Sequence, residues 1–196
     1  GVKLLSVMYL GKRHVNLRQC RDEVDVKTPA DLAGLNVRMP GTDAWQFLGA
    51  ALGFSPTPLA FSEVYTALST GAVDGQDNPL PTVVNSKFYE VTCQIALTSH
   101  LVDLNYIAFS KETWDGLSVD QQLAVQRAAD ATASWARLKQ LDMENNLADF
   151  IRSQGVDVYT PDVEAFRSHV QAVYADSDYV NDFPEGVLER INALGN

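Results

Sequence analysis

From Ser118 to Gln154 the chain contains neither proline nor glycine. Ser118 and Gln121 have the spacing of a capping box at the start of this run, and Gly155 stops it. Leu123, Ala128, Trp135, Leu138, Leu141, Leu147 and Phe150 recur along it at helical spacing. A helix of about thirty-five residues is ~50 Å long at 1.5 Å per residue. That exceeds the diameter of a small domain, so the helix must bridge two lobes or kink.

The rest of the chain has shorter periods. Lys3 to Leu10 reads as a strand. Thr28-Pro29-Ala30-Asp31 reads as a helix start with Thr as N-cap, and this short turn ends at Gly34. Leu35 to Met39 reads as a strand stopped by Pro40-Gly41, and Thr42 or Asp43 can cap a helix through Leu52. After the step Pro56-Thr57-Pro58, a helix runs from Ser62, read as its N-cap, to Thr70, where Gly71 ends it. The stretch AVDGQDNPLP reads as turns, with Asp74-Gly75 as turn chemistry, and a helical segment follows to Tyr89. Val91 to Thr98 and Leu104 to Ser110 read as two strands. Beyond the long helix, Val156 to Tyr159 reads as a strand, Thr160-Pro161 caps a helix, and a last helix runs from Pro184 to near Leu194. This alternation predicts an α/β fold with a mainly parallel central sheet flanked by helices. Ligands in such folds sit at the carboxyl ends of strands. Arg38, near the end of Leu35 to Met39, would be at that rim.

Charge and motifs narrow the function. A net charge of −10 argues against nucleic acid, which needs clustered Lys and Arg. It leaves a small anion open, because distant surface charges are screened within roughly 8 Å. No apolar run is long enough to span a membrane. GVKLLSVMYL lacks the basic start and cleavage site of a signal peptide, so any targeting signal is expected to have been removed or to lie upstream. Cys20 and Cys93 are read as unpaired thiols, with a disulfide open in an oxidising compartment. His14, His100 and His169 have no metal-ligand spacing. Gln76 and Asp77 offer oxygen ligands without an EF-hand pattern, so neither metal nor cofactor is expected. GxSxG, P-loop, HExxH and GxGxxG motifs are all absent. Arg38 and Arg13 remain. The guanidinium of Arg38 has two readings: a fork for a ligand carboxylate, or a structural ion pair at a strand end.

The run LAGLNVRMPGTDAWQFLGAALGFSPTPLAFSEVYTALSTGAVDGQDNPLPTVVNSKFYEVTCQIALTSH resembles the substrate-binding proteins of TRAP transporters, the DctP-type family. Its markers are an Arg after a strand, PTPLAFSEVYTAL, GAVDGQDNPL and KFYEV at family-like spacing, and the likeness extends over essentially the whole chain. It implies a periplasmic receptor with two α/β lobes that captures an organic acid in a cleft, closes by a hinge, and delivers the acid to a membrane permease. It implies no catalysis. An enzyme acting on an organic acid is the competing class, with Asp43 or His100 as its base.

The resemblance also assigns residues. Arg38 corresponds to the central carboxylate-binding Arg. Arg13 corresponds to a second cleft Arg, with Arg18 as the competing candidate. Asn78 corresponds to an amide that supports the carboxylate, and His100 to a histidine of sialic-acid receptors, with a structural role as its alternative. Phe61 corresponds to an aromatic that packs on the ligand, or else to a core residue. Departures from the family pattern at Thr42, Asp43 and Trp45 suit a ligand with hydroxyls: backbone N–H groups at the helix start, an acceptor in Asp43, a stacking surface in Trp45. A sugar acid or sialic acid is therefore expected, with a C4-dicarboxylate as alternative. Family members are longer, so the chain is expected to be a C-terminal portion. Residues 11–103 and 144–196 would form the second lobe, and residues 1–10 and 104–143 the crossover and part of the first. Such a piece would leave Arg38 facing solvent and expose apolar surface, with possible self-association.

Overall fold

The computed structural model describes residues 1–194, apart from the side chains of Asn145 and Asn192. Six strands form one sheet: β1 (Val2–Leu17), β2 (Asn36–Met39), β3 (Ser55–Pro58), β4 (Gly75–Pro79), β5 (Gln94–Ser110) and β6 (Asp157–Tyr159). Their order is β3-β2-β4-β1-β5-β6. The β2–β3, β2–β4 and β5–β6 pairs are parallel, and β1 is antiparallel to both β4 and β5. The sheet is thus mixed α/β with a parallel majority of pairs, cut by one long antiparallel strand.

Helices α1 (Asp43–Ala51), α2 (Val64–Thr70), α3 (Leu80–Asn85), α4 (Lys111–Asp115), α5 (Val119–Ser153), α6 (Val163–Ala175) and α7 (Val187–Ala193) complete the fold. Strand alternation sends neighbouring residues to opposite faces. Val15, Leu17, Val37 and Met39 pack on one face with Leu52, Phe54 and Phe166. On the other face Val64, Leu68, Leu80, Val83 and Phe88 pack with Ile95 and with Ile151 of α5.

The long helix forms as its sequence dictates. Ser118 Oγ accepts from the Gln121 N–H, Gln121 Oε1 accepts from the Ser118 N–H, and 35 residues follow. It lies along β1, whose pairing with β5 shifts register between Leu4 and Ser6 and between Tyr9 and Gly11. Each bulge frees backbone groups, and α5 satisfies them. Gln126 donates to the Leu5 carbonyl, Gln140 donates to the Leu10 carbonyl, and Glu144 accepts from the Lys12 N–H and the Tyr9 hydroxyl.

Several local expectations need correction. The first strand continues to Leu17, and the two strands expected within 91–110 are one, β5. AVDGQDNPLP contains β4, every residue of which is buried. Its neighbours β1 and β2 supply backbone partners that turn residues cannot find locally. The Pro-rich step is β3, at a sheet edge where missing N–H groups cost little. Ser62 is no N-cap, because a 3₁₀ turn over Phe61–Glu63 leads into α2. Asp162, rather than Thr160, caps α6 by accepting from the Ala165 N–H. Asp74 ties two segments together, accepting from the Asn36 N–H and from Gln19. Cys20 and Cys93 are bridged, with Cα atoms 4.9 Å apart. They lie 73 residues apart in sequence, but the Cys93 N–H donates to the Leu17 carbonyl, so the end of β1 and the start of β5 are neighbours.

Candidate functional site

Arg38 sits one residue before the end of β2, beside Gln76 of β4. Alternation turns it away from Val37 and Met39, toward the face that carries Gln76 and Asn78. Its Nε donates to the Leu59 carbonyl at 2.9 Å, and its guanidinium carbon lies 5.8 Å from the Phe61 ring centre. Its two η nitrogens have no hydrogen-bond or ion-pair partner among the described residues. Arg38 is 4% exposed, so the expectation that it faces solvent is corrected. Pro40, Gly41, Pro58, Leu59 and Ala60 form a recess around it. Burial lowers its pKa, the charge of Asp77 opposes this, and Arg13 adds to it. Arg38 nonetheless stays cationic. Among the described residues, Arg38 does not make the structural ion pair that the sequence left open.

Phe61 is half exposed, with its ring meeting Phe88 at 5.8 Å in an edge contact. Asn78 lies on the Arg38 face and donates from Nδ2 to Gln76 Oε1 at 2.5 Å. Gln76 is fully buried, and its Nε2 lacks a partner among the described residues, as does Asn16 Oδ1 on the neighbouring strand. Arg38, Gln76, Asn78, Asn16 and His14 therefore make a polar row on this face.

Arg13 is placed differently. Its Nε donates to Asp77 Oδ2 at 2.7 Å and its Nη2 to Asp77 Oδ1 at 3.0 Å, the fork arrangement expected for Arg and carboxylate. Nη2 also reaches the Asp77 carbonyl at 2.5 Å, and Nη1 donates to Asp103 at 2.6 Å. The guanidinium lies over the Trp45 ring, 4.5 Å from its centre. Burial works against the Arg13 cation, but the hydrogen bonds and charges of Asp77 and Asp103 outweigh it and raise its pKa. Burial likewise opposes the Asp77 anion, and hydrogen bonds from His100 and Arg13 still hold its pKa down to about 2. Asp77 thus holds two nitrogen side chains. Among the described residues no acidic, His or Cys group is arranged for a metal.

His100 places Nε2 3.3 Å from Asp77 Oδ2, and its Nδ1 is 2.7 Å from Thr98 Oγ1. Residues 97–100 of β5 lie opposite the single residue His14 of β1. Within this bulge Ser99 adopts φ 49, and its N–H donates to His14 Nδ1 at 3.2 Å. Burial, then the charges of His100 and Lys12, push the His14 pKa down to about 3. A neutral His14 can accept that N–H.

Thr42 is the N-cap of α1 without a side-chain cap bond, and Asp43 is exposed in its first turn. Trp45 stacks on Arg13 and lines an apolar recess with Phe47, Leu101, Tyr174 and Tyr179. Arg18 lies elsewhere, its guanidinium beside Gly71. The structure brings Arg38, Phe61 and Asn78 toward one face, and Arg13, His100 and Trp45 together around Asp77. Asp77 and Asp103 were missed as parts of the site. The local signal at Asp77, a buried acid within GQDNP, was hidden by its turn-like neighbours.

The chain and its fold have known counterparts. Residues 1–179 match the model of the family described as bacterial extracellular solute-binding protein, family 7. The sialic acid-binding periplasmic protein SiaP of Vibrio cholerae is 37% identical over 196 residues, which covers 98% of this chain and 58% of that protein. A TRAP periplasmic solute-binding protein of Roseobacter denitrificans, crystallised with 3-deoxy-D-manno-oct-2-ulosonic acid, superposes with a TM-score of 0.96 at 68% identity. That match covers 99% of this chain and 64% of the other. A second Roseobacter denitrificans structure of this kind, with bound L-galactonate, gives a TM-score of 0.84 at 29% identity over 100% of this chain and 62% of the other. The chain therefore spans about three fifths of the length of these relatives.

Proposed function

The chain belongs to the bacterial extracellular solute-binding proteins of family 7, and on that premise we propose that it is the greater part of a periplasmic TRAP-type receptor for a sugar acid. Arg38 binds the ligand carboxylate. The observation that carries this reading is a buried Arg at the rim of the sheet whose η nitrogens have no partner among the described residues. Burying a cation without an anion costs several kcal/mol, so a site that keeps one is prepared for an anion. The open side of Phe61 packs on the ligand's carbon chain, and Asn78, oriented by Gln76, adds a hydrogen bond. Thr42 and Asp43 at the start of α1 meet ligand hydroxyls. Arg13 and His100, bound to Asp77, shape the floor of the cleft, with Trp45 stacked beneath Arg13.

The ligand is a hydroxylated monocarboxylate. The eight-carbon ulosonic acid of the 68%-identical Roseobacter structure is the first candidate, and hexonates and sialic acid are the next. A C4-dicarboxylate receptor is the alternative. Catalysis of ligand conversion would need a base aimed at the ligand, yet His100 is engaged by Asp77 and Thr98. Residues 11–103 and 144–196 form the second lobe of the receptor. Residues 1–10 and 104–143 cross to the first lobe, and the loaded receptor delivers its ligand to a membrane permease.

The test uses the receptor with both lobes. Calorimetry and thermal unfolding with 3-deoxy-D-manno-oct-2-ulosonic acid, L-galactonate, sialic acid and succinate should single out a sugar acid. Ligand at a hundred times Kd adds ~2.7 kcal/mol of stability. Arg38→Lys keeps the charge and loses the fork, so affinity should fall about a hundredfold, matching the 1.5–3 kcal/mol of a charged hydrogen bond. Lack of stabilisation by every sugar acid would refute the assignment, and unchanged affinity in Arg38→Lys would refute the role of Arg38.

A further inference from the structure

Arg13 already has a complete partner in Asp77. The Nε–Oδ2 and Nη2–Oδ1 contacts form a closed fork, with side chains 6% and 0% exposed. Asp103 brings a second carboxylate to the same guanidinium, 2.6 Å from Nη1, with a side chain only 15% exposed. One cation is thus shared by two acids. The cluster of Arg13, Asp77 and Asp103 sums to one net negative charge. Arg38, whose charge interacts with both Asp77 and Arg13 but which makes no ion pair among the described residues, is a further positive charge nearby. The exposed Asp43 adds a further acid at the start of α1.

We infer that Asp103 is a specificity-determining residue that restricts the site to ligands with a single carboxylate, a reading that rests on the proposed sugar-acid site. The physics is a matter of charge number. A fixed negative charge lowers the local potential, and a dianion feels that potential twice where a monoanion feels it once. Both side chains are shielded from solvent, so salt screens the effect only partly. Without Asp103, Arg13 and Asp77 would cancel, and the charge of Arg38 would act on the ligand with no fixed negative charge left over to oppose it. The site would then tolerate a second ligand carboxylate. Asp103 both accepts from Arg13 Nη1 and adds a charge, and the Asn variant separates the two by keeping the acceptor and removing the charge.

The experiment compares 3-deoxy-D-manno-oct-2-ulosonic acid with galactarate in the receptor with both lobes. Galactarate carries the carbon chain of L-galactonate with a second carboxylate in place of the terminal hydroxymethyl. Asp103→Asn keeps an oxygen acceptor for Arg13 Nη1 and removes the charge. The expected result is that the affinity for galactarate relative to the ulosonic acid rises about tenfold. The gain should shrink at high ionic strength, and Asp103→Glu should keep the wild-type ratio. Asp103→Ser reports the same ratio should the Asn variant fold poorly. Equal losses for both ligands would mark Asp103 as a structural support and overturn the inference, and so would an unchanged ratio. A wild-type receptor that binds neither acid would instead count against the sugar-acid reading itself.

Discussion

Arg13 donates to two carboxylates, whereas the only hydrogen bond Arg38 makes among the described residues is to a carbonyl. The difference comes from the alternation of strands. β4 turns Asp77 to the Arg13 side of the sheet and Gln76 and Asn78 to the Arg38 side, so the acid of this strand pairs with Arg13 and not with Arg38. The same register puts His14 under the bulge of β5, where burial keeps it neutral. Its pKa of about 3 lies below the ordinary 6.5, so acid favours the unfolded chain, which takes up the proton first. The stability His14 lends is complete above pH 6.5 and declines as pH falls toward 3. Asp77, held at about 2, acts in the same direction below its ordinary 3.8. Between pH 6.5 and 5 the His14 contribution should fall by about 2 kcal/mol. Urea unfolding at both pH values measures the loss, and His14→Gln should flatten it. An unchanged slope in that variant would show that His14 titrates normally.

The disulfide and the long helix do different work at the level of elements. Cys20–Cys93 ties the segment after β1 to the start of β5. Closing a loop of 73 residues removes chain entropy worth about 4 kcal/mol from the unfolded state. The double variant Cys20→Ala, Cys93→Ala should lose roughly that much stability in denaturant titrations, and a loss below about 1 kcal/mol would mean that the sheet alone sets this geometry. The bridge was not legible in the sequence, where two distant cysteines say nothing of their separation in space. The long helix was, because its caps, period and lack of Pro and Gly are local signals. The α/β class followed from alternation, although the antiparallel course of β1 did not. β4 was hidden because Gly, Asp, Asn and Pro favour turns when judged locally, and only pairing with β1 and β2 makes them a strand. Arg38 could be picked out as an isolated cation in an apolar stretch. The shared acids around Arg13 depend on contacts between residues 64 and 90 positions apart, which no local pattern reveals.

On the scale of the molecule, β1 and β5 run on beyond the strands that flank them. β4 pairs with β1 only from Arg13 to Leu17, and β6 pairs with β5 only from Gln94 to Ala96. The outer halves, Val2 to Gly11 and Asp103 to Ser110, pair with each other, with α5 laid along β1. Val7 and its partner Tyr106 are exposed there, and so are Leu4 and Leu104. On α5, Trp135 is 67% and Leu138 70% exposed. Single exposed apolar residues are ordinary, but a run of them on one extension marks a surface that another element covers. On the two-lobe reading, the first lobe of the receptor covers it. Residues 1–196 alone should then self-associate through this extension and bind a hydrophobic dye, and the two-lobed receptor should do neither. Light scattering and sedimentation over a broad concentration range compare the two. Leu104→Lys, placed on the extension away from Arg38, should weaken association of the shorter chain. A chain of residues 1–196 that stays monomeric and leaves the dye dark would show that the extension needs no cover, and the lobe division would then have to be redrawn.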